Sequence, residues 1–243
     1  MHNDYPHKPN GLPIMRMEDI NDFALRVVLE FAPECLRKPM ALDIKTLAEE
    51  QLLLDIVETP MFIETMLGLT AFGFVTIPID SHNHYIAVED GTILINSSIG
   101  SNIYRKRFTL AHEVAHWILH RRYNDRTKIQ YEFRDGAHSF VAAENDLREL
   151  GKKNPVICQT DDDWAEWQAD HFAAALLMPA PIFIKTAQQI MDHYNFPNHQ
   201  LISSERVSEG KRVVKELSDI FRVSYRSVRL RLREVGMYLG VQK

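Results

Sequence analysis

Apolar side chains at Ile20, Phe23, Ala24, Val27, Val28 and Phe31 recur every three or four positions, which predicts an amphipathic helix that Pro33 ends. Asp43 is placed to cap a second, short helix over Ile44 to Gln51. The pattern then changes. Leu52 to Val57, Phe72 to Ile77, Tyr85 to Val88 and Thr92 to Asn96 read as short strands, the last following a Glu89-Asp90-Gly91 turn. They predict a small, mostly antiparallel sheet. From Tyr104 to His120 the helical period returns without glycine or proline, carried by Phe108, Ala111, Ala115 and Ile118. Residues 121 to 160 are polar and mixed, with a helix predicted from Ser139 to Leu150. Helices follow from Asp163 to Met178, which Pro179-Ala180-Pro181 stops, and from Pro181 to about Tyr194. After a linker from Asn195 to Glu209, two more helices, Lys211 to Phe221 and Tyr225 to Val235, complete the chain. The fold class is α+β. We divide it into a main domain, 1–198, and a C-terminal segment with helix-turn-helix dimensions, 199–243.

Composition changes this picture little: 45% hydrophobic and 25% charged residues in 243 describe an ordinary globular protein. The two cysteines, Cys35 and Cys158, form no Cys-x-x-Cys pair and suggest neither a disulfide framework nor a thiolate metal site. The first residues lack a basic stretch followed by an apolar one. The longest apolar run, Phe172 to Ile184, is interrupted by prolines and is too short to span a bilayer. A cytoplasmic protein without membrane contact is expected. Charge is more informative, because residues 206–243 hold ten Lys or Arg against four Asp or Glu, while the whole chain is at −5. The tail is basic and the body acidic.

The candidate chemistry sits in His112-Glu113-Val114-Ala115-His116. Positions i and i+4 of a helix differ by about 40° in azimuth and about 6 Å in height, so both imidazoles reach one ion. Zinc takes nitrogen and oxygen ligands, and a catalytic site uses three from the protein and keeps a fourth position open. Glu113 lies beside that position, where its carboxylate can take a proton from an attacking water and pass it to the departing amine. The competing reading is two surface histidines flanking a salt-bridged glutamate, but the flanks are apolar, as a buried helix requires. His120 is about 12 Å along the axis from His112, too far to share its metal, and is assigned a structural or supporting role. The third ligand is predicted to be Glu166, which shares a helical stripe with Ala169, Asp170 and Ala173, small residues that let two helices approach closely. Asp170 is the candidate to accept the free N–H of a ligand histidine. Asp161, Asp162 and Asp163 read as acids complementing a helix N-terminus.

Arg107-Phe108-Thr109-Leu110-Ala111-His112-Glu113-Val114-Ala115-His116, with Glu166 to Pro179 and the strand Ile93-Leu94-Ile95-Asn96, resembles the ImmA/IrrE family of metallo-endopeptidases over about Asp43 to Pro179. The resemblance implies a zincin-like fold with zinc on His112, His116 and Glu166 and with Glu113 as general base. It also implies a regulatory peptidase of narrow specificity that cleaves a helix-turn-helix transcriptional repressor and so induces mobile-element or stress-response genes. The fifty positions between His116 and Glu166 exceed the family's usual spacing, so residues 121–160 read as an insertion over the cleft or against a partner. An edge strand beside the zinc helix would hold substrate extended. Tyr104, Tyr123, Tyr131 and His138 all remain candidates for stabilising an oxyanion. In the tail, Arg226, Arg229 and Arg233 share a face, with Arg231 nearby, and are candidates for DNA or partner contact. Two alternatives stand beside the peptidase: a DNA-binding regulator with a structural metal, and a toxin-like protease acting on a host protein.

Overall fold

The structure is a computed structural model, and it describes residues 5–61, 66–82, 84–123, 160–202 and 205–239. The first helix, α1 (Met17–Phe31), buries Ile20, Phe23, Ala24, Val27 and Val28, and Asp19 caps it by accepting the Arg16 backbone N–H. After α2 (Glu34–Arg37), Asp43 accepts the Thr46 N–H and opens α3 (Ile44–Thr46), which widens into a π turn over Leu47–Gln51. That turn explains a shift. The Leu52 and Leu54 N–H groups bond back to Leu47 and Ala48, so the strand predicted from Leu52 begins only at Asp55.

The strands are β1 (Asp55–Thr59), β2 (Gly68–Thr70), β3 (Val75–Pro78), β4 (Tyr85–Val88) and β5 (Thr92–Asn96). Two separate ladders replace the single, mostly antiparallel sheet that the sequence predicts. In the first, ordered β1-β5-β2, β5 runs parallel to β1 and antiparallel to β2; the second is the antiparallel β3–β4 hairpin. Strand β5 is buried along its length because both its faces are covered. Ile93 and Ile95 join the helical core, whereas Leu94 packs with Leu69, Val75 and Val88 under the hairpin. The sheet is therefore the middle layer between helices and hairpin.

Beyond β5, Asn96 caps a 3₁₀ turn and Asn102 caps α4 (Ile103–His120) by accepting the Arg105 N–H at 3.1 Å. Thr160 and Asp163 form a reciprocal capping box that starts α5 (Asp161–Leu177) two residues earlier than predicted. The three acids of its first turn are engaged: Asp161 with Lys8 and Asn10, Asp162 with Tyr123, Asp163 with Thr160. Helices α4 and α5 pack along their lengths, and each carries fully buried alanines, Ala111 and Ala115 on the first and Ala169 and Ala173 on the second. This contact positions the candidate site.

Pro179 precedes α6 (Ala180–His193), and α7 (Val207–Phe221) and α8 (Tyr225–Glu234) follow. The stretch predicted as linker contains β6 (Leu201–Ile202), which pairs in parallel with β7 (Tyr238–Leu239). Val213, Val214, Leu217, Phe221, Val228 and Leu232 bury into the same core as α4 and α5. No described helix is long and apolar enough to cross a membrane. The predicted helix at 139–150 and Cys158 lie outside the described residues, and Cys35 is a buried free thiol.

Candidate metal centre

Helix α4 places His112 and His116 one turn apart, and α5 brings Glu166 against both. The His112 and His116 Nε2 atoms are 3.0 Å apart; Glu166 Oε2 is 3.2 Å from the first and Oε1 3.4 Å from the second. Among the described residues these three form the group able to hold a metal ion. Its size supports that reading. Ligands at about 2.0–2.1 Å from a tetrahedral ion lie about 3.3 Å from one another, close to the observed triangle.

The donor chemistry fits as well. Asp170 Oδ1 is 2.8 Å from His112 Nδ1, and an ionised carboxylate only accepts, so Nδ1 carries a proton and Nε2 is the nitrogen left for a metal. Two ring nitrogens and a carboxylate converging on one point require positive charge between them, from a proton or from a metal ion. The titration behaviour says the same. Burial opposes charge on His112, but hydrogen bonds and charge from Asp170 and Glu166 raise its pKa well above the usual value. Burial likewise opposes the Glu166 carboxylate, and the two histidines nevertheless hold its pKa well below the ordinary range.

Glu113 is 6% exposed, and burial raises its pKa against the lowering influence of His112 and His116. Thr70 Oγ1 lies 2.8 Å from its Oε2 and 2.9 Å from its backbone carbonyl, so β2 holds the carboxylate. The same strand comes close enough that a Cβ on Gly68 would sit 2.7 Å from Glu113 Oε1 and from Thr109 Cγ2. The sequence reading missed both Thr70 and Gly68. A three-residue Gly-Leu-Thr strand has too little alternation to register, and nothing local ties it to Glu113.

His120 packs behind His116 rather than at the metal position. Its Nδ1 is 3.0 Å from His116 Nδ1, its Nε2 3.0 Å from Gln168 Oε1, and Gln168 Nε2 donates to the Pro13 carbonyl at 2.8 Å. Burial pushes the His120 pKa down to about 3, so the ring is neutral. Of the oxyanion candidates, Tyr104 is in the first turn of α4, about 12 Å along the axis from His112. Tyr123 is buried, and its hydroxyl donates to Asp162 at 3.0 Å. Tyr131 and His138 lie outside the described residues.

The basic tail requires a correction. Arg231, proposed as a DNA or partner contact, is 1% exposed and points inward, donating to the Met178 carbonyl, Asn21 Oδ1 and Glu234. The carbonyl that ends α5 is an orphan acceptor, and a buried guanidinium satisfies it. Arg229 donates to the Tyr238 hydroxyl at 2.7 Å, and both it and Arg233 lie over the Tyr238 ring. Arg226 is half-buried on the same helix. Arg107, from the motif before the metal helix, ties α4 to the carbonyls of Leu42 and Arg222.

Fold and site together define an α+β protein with a metal-capable His2Glu group on two packed helices. No family model matches the chain, and no curated protein matches it in sequence.

Proposed function

We propose that this protein is a zinc-dependent endopeptidase. The observation that carries the reading is the triangle of two Nε2 atoms and one carboxylate at 3.0–3.4 Å, with Glu113 on the same helix as both histidines. When bound there, a divalent ion supplies polarisation of a peptide carbonyl and acidification of a water. The protein's own groups do the rest. Glu113, with Oε2 held by Thr70, receives the water's proton on its carboxylate and returns it to the leaving amine. The raised Glu113 pKa suits both halves of that exchange. Strand β2 has one partner, β5, among the described residues and lies against α4. An extended substrate segment adds to its other side, so cleavage demands an unfolded or loop segment of the target.

The resemblance to the ImmA/IrrE family extends the proposal to a zincin-like fold and to a narrow substrate: a helix-turn-helix transcriptional repressor, cleaved in the cytoplasm to release the genes it silences. The C-terminal helices, with Arg231 turned inward, are read as part of the peptidase's scaffold. The test is incubation of zinc-loaded protein with the repressor encoded beside it. We expect a single internal cut, lost by about 10²–10⁴-fold in Glu113→Gln, the usual contribution of a general base. Equal cleavage by that variant would remove Glu113 from its role.

A further inference from the structure

We infer that His120 and Gln168 are positioning residues that fix the proton of His116 on Nδ1 and so leave its Nε2 free to ligate the metal. The inference rests on the metal reading and gives the supporting role expected of His120 its partners and its direction.

The far end of this line of contacts sets the direction of every hydrogen bond in it. The Pro13 carbonyl can only accept, so the Gln168 amide must turn its NH2 toward it, at 2.8 Å. Its Oε1 then faces His120 Nε2 at 3.0 Å, and an amide oxygen also only accepts. His120 must therefore carry its proton on Nε2. Buried at 1% exposure against His116 and a neutral Gln168 amide, with no carboxylate hydrogen-bonded to it, the His120 ring is neutral and has one N–H, so its Nδ1 is a lone pair, and it faces His116 Nδ1 at 3.0 Å. His116 must donate from Nδ1. What remains on His116 for a metal is Nε2, aimed at Glu166 and His112. Every link has one polarity, set by a backbone carbonyl that cannot reverse.

Position and burial strengthen the case. His120 and Gln168 are 1% and 2% exposed, so no water competes for these bonds. The carbonyl at the end is held in place as well. Gly11, at φ 87°, lies so close under the Arg122 carbonyl that a Cβ there would be 1.8 Å from its oxygen, and Leu12 packs with Tyr123 and Ala165. Asp170 does for His112 with a charged acceptor what this neutral relay does for His116. Without the relay, the His116 proton is equally free to sit on Nε2, where it would block the ion.

The test compares zinc dissociation constants, from competition with a chromophoric chelator, for wild type, His120→Leu and His120→Asn. Leucine removes the acceptor, whereas asparagine puts an oxygen near the place of Nδ1. We expect His120→Leu to bind zinc about 10–100-fold more weakly, as is typical when a ligand's outer partner is lost, and His120→Asn to recover most of that loss. Equal affinity in wild type and His120→Leu, or no recovery by asparagine, would overturn the inference while leaving the metal site standing. A wild type that takes up no zinc would overturn both. Because His120→Leu risks misfolding, long-range ¹H–¹⁵N spectra of the zinc-loaded wild type supply a second measurement. Protons on His116 Nδ1 and His120 Nε2 are the expected result, and coordination of zinc by His116 Nδ1 would refute it.

Discussion

Helix α5 carries two polar networks with different endings. Toward its N-terminal half, Glu166 and Asp170 engage His112 and His116, and the donors converge on a point that holds no positive side chain. One residue further on, His171 meets Glu234 at 2.7 Å, and Glu234 meets Arg231, whose guanidinium also takes the Met178 carbonyl and Asn21. The second network contains its own cation and closes on itself. The first has only imidazole protons to set against its carboxylates, and its donors form a group that could hold a metal ion. A cluster with a permanent guanidinium charge acts as scaffold, while one whose only cations are imidazoles can exchange their protons for a divalent ion.

That contrast can be broken at either end. The largest effect is expected from Arg231→Met, which strands a buried carboxylate and a helix-terminal carbonyl. It should cost about 3–5 kcal/mol in urea unfolding and leave the zinc stoichiometry unchanged. Glu166→Ala should do the opposite, weakening zinc binding by more than the roughly 100-fold typical of an outer partner, with little change in the unfolding midpoint of metal-free protein. Chelator competition and metal-free melts separate the two, since bound metal itself stabilises by mass action.

Gly68→Ala should act on the base rather than on the metal. The new methyl displaces Glu113 at a cost of about 1–3 kcal/mol, so kcat falls while zinc affinity holds. A parallel loss of zinc would place the strain on His112 instead. The smallest effect concerns acid. His171 and Arg231 hold the Glu234 carboxyl below its ordinary value, against the opposing pull of burial. The stability this contributes is complete above the unfolded glutamate pKa and fades as pH falls through the lower folded one. In metal-free protein, Glu234→Gln should flatten that part of the acid limb, visible as a melting temperature less dependent on pH below the usual glutamate range.

The legible and illegible parts of this molecule divide by range. Helices α4 and α5 were readable because period, caps and breakers are local, and the stripe Glu166-Ala169-Asp170-Ala173 already pointed one face at a partner helix. The parallel pairing of β1 with β5 was not readable, since it depends on a contact between strands that are not neighbours in the chain. Strand β2 is too short to show alternation. Arg231 misled for a related reason. Four arginines in eight positions look alike in sequence, and only the Met178 carbonyl, Asn21 and Glu234, each from a different helix or helix end, single one out for burial. His120, Gln168 and Pro13 likewise acquire a shared role only once the chain has folded.

The alanines buried on α4 and α5 act as a gauge block. Ala111, Ala115, Ala169 and Ala173 are small enough to permit a close approach of two helices, and the separation of these helices sets the width of the gap between imidazoles and carboxylate. In the metal site proposed above, the fit to an ion then depends partly on methyl groups that never touch it. A valine in place of Ala169 would retune which ions fit without altering a single ligand.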